Sequence, residues 1–481
     1  MEVTHSLKAW STRPRVFQKL WPTSDSRGAR RPASTFSTVV QKTTSTASSH
    51  SLPPPVPALK LHRPVYAQAQ AFKTRIAVCD NDGNFLYEDI FRRSLDLSQM
   101  IADMLPSQAP HQRIAILCPN GASHVITQWA CWMSGHIAVP LNQAQTPAEM
   151  EFCLQDSDCS LVISAKSQID RINDVAQKLG RKLICLDHTW TAHPKKSFED
   201  DALPFPQDPQ SEEFYLSHPG ALILYSRKYT DKPKAVLFGH NELNHQMLHI
   251  SQAWDLTEKC SLLHTLPLDT AYGNITSMLT PLSVGGRIVN LSQFDTVKVW
   301  SYLLGIGVNC PEPLPKVNMF PSLPGYYGKL LTRYREIFVD KKKKDYVRST
   351  LLKRIRGMFS SMDLVSRDLR KSWHSATGHQ IIDCYTKTTT GTVLSGQVPE
   401  HQSKIVKHHL LPLRLTETKV VRTLSTGGVD VLDLNCQSRH TVMGELMLKA
   451  PGQSKQIKTD SQGFVSTGDK VKVSRGGIEV L

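Results

Sequence analysis

Between Gln112 and Asp187 the chain alternates short apolar runs with amphipathic stretches, and this rhythm limits the fold more than any other feature. "QRIAILCPNG" (Gln112 to Gly121) is an apolar run that ends in Pro-Asn-Gly, a strand followed by a turn. Ser123 stands where it can cap the next helix, whose Val125, Trp129, Trp132 and Met133 share one face. Gly135 stops that helix and "HIAVPL" is the next strand. "TPAE" (Thr146 to Glu149) is a capping box with Pro at the first helical position. "CSLVISAK" is a strand, "SQIDRINDVAQKLG" a helix ended by Gly180, and "RKLICLD" a further strand. Such a β-α-β-α succession predicts an α/β fold with a parallel sheet covered by helices. Ligands of such sheets bind outside the carboxyl ends of the strands.

The 481 residues are enough for one large domain or two to three ordinary ones, and 8 Trp, 12 Tyr and 15 Phe supply a real core. No apolar run reaches the roughly 18–20 residues of a membrane span. None of the ten cysteines has CxxC spacing, so neither a zinc site nor a redox dithiol is indicated; most read as reduced core residues. The net charge of +15 is local. Residues 1–50 hold eight Lys/Arg against two acids, a net +6; residues 311–375 hold fifteen against six, a net +9. Charge confined in this way does not argue for a specific nucleic-acid partner. "KKKK" (Lys341 to Lys344) lies between two stretches of helical spacing and is expected at an exposed helix end or loop.

Residues 1–50 are rich in Ser, Thr and Arg, nearly free of acid, and lack the apolar core of a secretory signal. That composition predicts a mitochondrial transit-like disordered segment, and so a matrix location, with a plain basic tail as the alternative. Residues 51–66 form a Pro-rich linker, and the folded part is expected over residues 67–481.

"LYSRKYTDKPKAVLFGH" (Leu224 to His240) follows an apolar strand end, where a phosphate-binding loop belongs, yet it lacks the glycines of such a loop. Five further stretches accompany it: "SLDLSQMI" followed by "QWACWMSGHIAVPL", then "LHTLPLDTAYGNITSMLTPLSVGG", "TGHQIIDCYTKTTTGTVLSG" and "GFVSTGDKVKV". In this order and spacing, from about Phe72 to Asp469, the chain resembles the adenylate-forming acyl-CoA synthetases. Within them it looks most like the mitochondrial malonate–CoA ligase branch.

The resemblance implies a large N-terminal AMP-binding domain of stacked, mostly parallel sheets covered by helices, with a small β subdomain. It implies an acid–thiol ligase that uses ATP and Mg2+, releases AMP, and takes a carboxylate (malonate or methylmalonate) and CoA as partners. Carried over residue by residue, the nucleotide-binding set is Ser226, Thr230, Lys234, Tyr385, Thr388 and Asp469. Tyr385 would stack on adenine, Thr388 would meet a phosphate oxygen, and Asp469 would accept the ribose hydroxyls. Three family glycines are Lys228, Asp231 and Ala235 here, and glycine is what lets backbone amides close on an anion. Thr389 replaces the family's magnesium-binding Glu, so no metal ligand is assigned. Asp269, Thr270 and Tyr272 stand where the family has histidines, while the turn residues Pro267, Leu268 and Gly273 remain. The family's small C-terminal domain, with its adenylating lysine, has no counterpart before Leu481, so no catalytic residue is assigned. "GVNCPEPLPKVN" reads as an insertion before a family strand.

These departures predict a ligase that works poorly or not at all. Two other classes stay open. One is an inactive relative that binds a nucleotide or a partner protein. The other is a binder of mitochondrial nucleic acid or anionic lipid through the basic stretch Lys329 to Lys371.

Overall fold

The computed structural model describes residues 64–105, 111–190, 220–226, 233–306, 315–399, 409–423, 429–433, 441–474 and 477–481. The transit-like segment, most of the Pro-rich stretch and the core of the expected insertion, 307–314, lie outside the described residues. Within 51–66, Val65 and Tyr66 are already buried and begin a short 3-10 helix, Val65–Gln70.

The strands run β1 (Ile76–Asp80), β2 (Gly83–Leu86), β3 (Arg113–Leu117), β4 (Ile137–Pro140), β5 (Cys159–Ala165), β6 (Lys182–Leu186), β7 (Leu222–Ser226) and β8 (Lys234–Phe238). Next come β9 (Ser261–His264), β10 (Arg287–Asn290), β11 (Met319–Ser322), β12 (Gly357–Ser360), β13 (Ile381–Lys387), β14 (Gly391–Ser395) and β15 (Leu411–Pro412). The last five are β16 (Glu417–Thr423), β17 (Val429–Asp433), β18 (Val442–Lys449), β19 (Val465–Ser474) and β20 (Gly477–Val480). They form three sheets. A six-stranded sheet has the order β6-β5-β3-β4-β7-β8, a nine-stranded sheet β15-β14-β13-β12-β11-β9-β10-β1-β2, and a five-stranded sheet β17-β16-β18-β19-β20.

The first two sheets are parallel through their centres, as the alternation predicts. The third is antiparallel throughout. The expected fold class is therefore present: two mostly parallel sheets with helices, and a β subdomain. One local difference concerns β7 and β8, which pair antiparallel from Leu222↔Phe238 to Ser226↔Lys234. The glycine-poor loop thus closes a hairpin at the sheet edge.

Helix α1 (Tyr87–Met104) packs on α2 (Ala122–Met133), and every residue of α2 is buried. Buried on every side, its polar Ser123, His124, Thr127 and Gln128 included, α2 contacts β3, β4 and β1. Its buried indole Trp132 donates to the Ala221 carbonyl at 2.6 Å. Ser123 does not cap it. The helix starts one residue earlier, and Asp80 at the end of β1 accepts from the Ala122 amide at 2.8 Å. A carboxylate there also faces the positive end of the helix dipole. Gly121, at φ +151°, leaves the room: a Cβ would lie 2.5 Å from Asp80 Oδ2. The capping box on α3 (Pro147–Asp156) is present, with Thr146 N donating to Glu149 Oε2 at 2.7 Å. Gly180, at φ +61°, follows the end of α4 (Ile169–Lys178).

Further along lie α5 (His240–Ala253), α6 (Thr296–Leu304), α7 (Pro324–Ile337), α8 (Lys341–Arg354) and α9 (Arg367–Thr377). Trp300, Tyr327 and Trp373 bind α6, α7 and α9 into one cluster over the nine-stranded sheet. The four lysines form the exposed first turn of α8, capped by Asp340. Seven of the eight described cysteines are buried and Cys185 is exposed. Among the described residues no helix is long and apolar enough to cross a membrane.

Two predictions follow from these buried polar groups. Asp80→Ala removes the remote cap of α2 and should lower stability by about 1–2 kcal/mol in urea unfolding. His124 and His264 are fully buried, and burial pushes each imidazole down to about 4. The folded state therefore holds them neutral below the ordinary 6.5. Their contribution is complete above pH 6.5 and is lost as pH falls towards 4, at about 3 kcal/mol each when fully developed. Urea midpoints should drop between pH 7 and 5; a flat profile would contradict the assignment.

Candidate functional site

Tyr385 and Asp469 lie on different sheets and 84 residues apart, and they meet. Tyr385 is in β13, at the point where the nine-stranded sheet adjoins the five-stranded one. Its ring belongs to the apolar cluster of the β subdomain with Val420, Leu446 and Val471. Its hydroxyl donates to Asp469 Oδ2 at 2.5 Å. Asp469 is held on β19 by its own amide, which donates to Thr467 Oγ1 at 3.1 Å; Thr467 in turn donates to the Leu446 carbonyl at 2.7 Å. Tyr385 is 8% exposed, so its ring is largely a core group.

A third side chain completes the group. Strand alternation puts Lys387 on the same face as Tyr385. Its ammonium pairs with Asp469 Oδ2 at 2.8 Å, donates to the Thr467 carbonyl, and lies 5.9 Å from the Tyr385 ring centroid. Both members of the pair are about one-fifth exposed. Lys387 stands where the family motif has Met. Its position two residues after Tyr385 in a strand was the signal that could have found it.

The residues between them are tied down from below. Thr386, in place of a family Gly, shares hydroxyl hydrogen bonds with Ser361 at 2.8 Å and Thr392 at 2.6 Å, and Thr392 reaches Thr276 at 2.7 Å. Thr388 and Thr389 lie half-buried in the turn to β14. Gly391, at φ +68°, ends that turn against the Gln246 side chain of α5, where a Cβ would come within 1.8 Å of Oε1.

Ser454 joins this turn to the hairpin: its amide donates to the Thr389 carbonyl at 3.2 Å and its hydroxyl to the Leu237 carbonyl of β8 at 2.5 Å. The strand carrying Lys234 and the turn carrying Thr389 are therefore stitched together. Ser226 is half-buried and Lys234 exposed, and they pair where the two strands run into their connection. Thr230 lies outside the described residues, as do Arg227, Lys228, Asp231 and Lys232.

The stretch Pro267 to Gly273 forms a tight, internally bonded turn. Thr270 Oγ1 donates to the Pro267 carbonyl at 2.8 Å and accepts from the Gly273 amide at 3.0 Å. A Cβ at Gly273 would stand 1.9 Å from that carbonyl oxygen, so only glycine fits. A π-helical segment, Tyr272–Leu279, begins here, a backbone form often found at functional sites. His264 donates from Nε2 to the Gly273 carbonyl at 3.0 Å.

Beside it, a cavity of about 320 Å³ opens past the carboxyl ends of β3, β4, β9 and β10. Asn120, Asn142, Arg171, Thr265 and Asp269 line it. Asn142 donates to Asp269 at 2.8 Å, while the buried Thr265 hydroxyl has no partner among the described residues.

Among the described residues no group of three or more His, Cys, Asp or Glu side chains is arranged to hold a metal ion. Thr389 offers a neutral hydroxyl where a hard dication favours a carboxylate, so Thr389 is itself a poor magnesium ligand.

The family model of the AMP-binding enzymes matches residues 65–456. The mitochondrial malonate–CoA ligase of Xenopus laevis is 31% identical over 440 residues, covering 87% of this chain and 74% of the relative. The mouse malonate–CoA ligase is 33% identical over 444 residues, covering 87% and 73%. Among solved structures, ATP-bound MatB from Rhodopseudomonas palustris superposes with a TM-score of 0.67 at 19% identity, covering 87% of this chain and 78% of that one. At that identity the structural likeness speaks for the fold. With the family model spanning most of its length and relatives above 30% identity, this chain belongs to the AMP-binding enzyme family.

Proposed function

We propose that the chain is an acid–thiol ligase of the malonyl-CoA synthetase type, with a weakened nucleotide seat. The reaction has two halves. A carboxylate oxygen of malonate or methylmalonate attacks the α-phosphorus of ATP, forming the acyl-adenylate and expelling pyrophosphate. The thiol of CoA then attacks the acyl carbon, and AMP leaves. The observation that carries this reading is the convergence of Tyr385 and Asp469 from separate sheets in a chain of this family.

In the proposal Tyr385 offers a ring face to adenine and Asp469 accepts from the ribose hydroxyls. Thr388, Thr230 in the connection after β7, and Ser226 at the end of β7 bond phosphate oxygens. Lys234 supplies positive charge, as a point cation rather than a cradle of amides. The polar cavity past the strand ends is the space for a substrate arm. Magnesium would enter bound to the ATP phosphates, and no step is assigned to it. A mitochondrial matrix location is proposed from the acid-poor, basic residues 1–50, in keeping with the mitochondrial names of the relatives.

A second reading is favoured by a specific observation. Asp469 already has a cation and a phenol on one oxygen. This suits a relative that holds a nucleotide loosely, or a protein partner, without catalysis. The basic first turn of α8 is exposed and would serve an anionic surface, but charge runs of this kind are commonly solvated faces.

Malonate-dependent ATP–pyrophosphate exchange by the full chain, with magnesium and without CoA, separates the readings. The ligase reading expects exchange above background at high enzyme, and loss of at least about tenfold in Asp469→Asn, the scale of one charge-assisted hydrogen bond. Folded protein that binds AMP without exchange replaces it with the non-catalytic reading. Folded protein with neither exchange nor AMP binding removes the ligase reading and the nucleotide-holding form of the second.

A further inference from the structure

We infer that Lys387 is a built-in competitor for the nucleotide seat and sets its affinity. The inference rests on the reading of Tyr385 and Asp469 as nucleotide contacts. A ribose diol needs the carboxylate of Asp469 as acceptor, and an adenine needs an open face of Tyr385. Lys387 takes a share of both. Its ammonium is 2.8 Å from Asp469 Oδ2, bonds the carbonyl of Thr467 two residues earlier on β19, and sits over the Tyr385 ring at 5.9 Å from the centroid.

The geometry is that of a tethered ligand. Lys387 is the last residue of β13, so its backbone is fixed by pairing with Gly391 while its long side chain reaches across to β19. The ion pair is largely withdrawn from water. Removing a carboxylate's cation in such a place is costly, because the remaining charge loses its partner without regaining full hydration. An entering ribose supplies neutral hydroxyls, weaker partners than an ammonium. The seat is therefore competent only in the fraction of molecules in which Lys387 has swung out, and apparent affinity falls by that fraction. A methionine at this position fills similar volume and has no charge to offer Asp469.

The test is AMP binding to the full chain, measured by equilibrium dialysis with labelled AMP, in five proteins: wild type, Lys387→Met, Lys387→Arg, Asp469→Asn and the Lys387→Met/Asp469→Asn double variant. Urea unfolding of each confirms that it is folded. The expected result is that Lys387→Met binds AMP at least about tenfold more tightly than wild type. The double variant should lose that gain. Lys387→Arg, which keeps the charge, should stay near wild type.

A simple structural role cannot produce tighter binding, since losing an ion pair lowers stability without creating a ligand site. If Lys387→Met leaves affinity unchanged or lowers it while Asp469→Asn weakens the wild type, the competitor role is overturned and the nucleotide reading of Asp469 stands. If Asp469→Asn changes binding in neither background, the nucleotide reading fails and the competitor role fails with it.

Discussion

The arrangement depends on one helix with no solvent face. α2 is buried along its whole length, so neither its side chains nor its end groups can turn to water. Most of the polar groups it carries therefore bond within the protein, the buried Trp129 Nε1 being one that has no partner among the described residues. Trp132 bonds Ala221, Gln128 exchanges hydrogen bonds with Asn274 in both directions at 3.0 Å, and Asp80 receives the first amide. These partners come from β1, the entry to β7 and the π-helical segment. Satisfying one buried helix thus fixes the relation of β1, in the nine-stranded sheet, to β7, in the six-stranded one. It also anchors the loop Pro267 to Gly273, because Asn274 bonds the Leu268 carbonyl as well.

Much of this was legible, and what was not shares one cause. The strands and helices from Gln112 to Asp187 could be read because their signals are local: an apolar period, a Thr146–Glu149 box, glycines at Gly135 and Gly180. The cap of α2 could not. Ser123 is the ordinary local candidate, but the amide is taken by Asp80, 42 residues earlier in sequence. The antiparallel turn of β8 was hidden for the same reason, since strand direction depends on which edge is free. In the site, the resemblance put Tyr385 and Asp469 in one place, and they are together. Lys387 stood inside the quoted motif, and its spacing from Tyr385 places it on the same strand face, but the ion pair to Asp469 reaches another sheet.

The meeting of Tyr385, Lys387 and Asp469 is also a structural joint. β13 belongs to the nine-stranded sheet and β19 to the five-stranded one, and the Tyr385 ring is packed in the subdomain's apolar cluster. The side chains proposed to receive a nucleotide are the ones that connect two sheets. Rigidity of that kind favours a preorganised seat, because the ring and carboxylate need not be ordered when a ligand arrives. It also means that the same carboxylate serves two partners, one fixed and one arriving.

The pattern of departures from the family gains a physical meaning from this. Thr386 replaces glycine and its hydroxyl is absorbed by Ser361 and Thr392. Lys387 replaces methionine and its charge is absorbed by Asp469. Thr270 replaces histidine and its hydroxyl is spent on its own turn, bonding Pro267 and Gly273. In each case a group that could have faced a ligand is satisfied inside the protein instead. A binding site depends on polar groups left short of partners until the ligand comes, a condition that costs stability when nothing is bound. In the proposed reading of the seat, that shortage is relieved at these three positions. A fold can keep the outline of a site in this way and still lose much of the free energy available for binding.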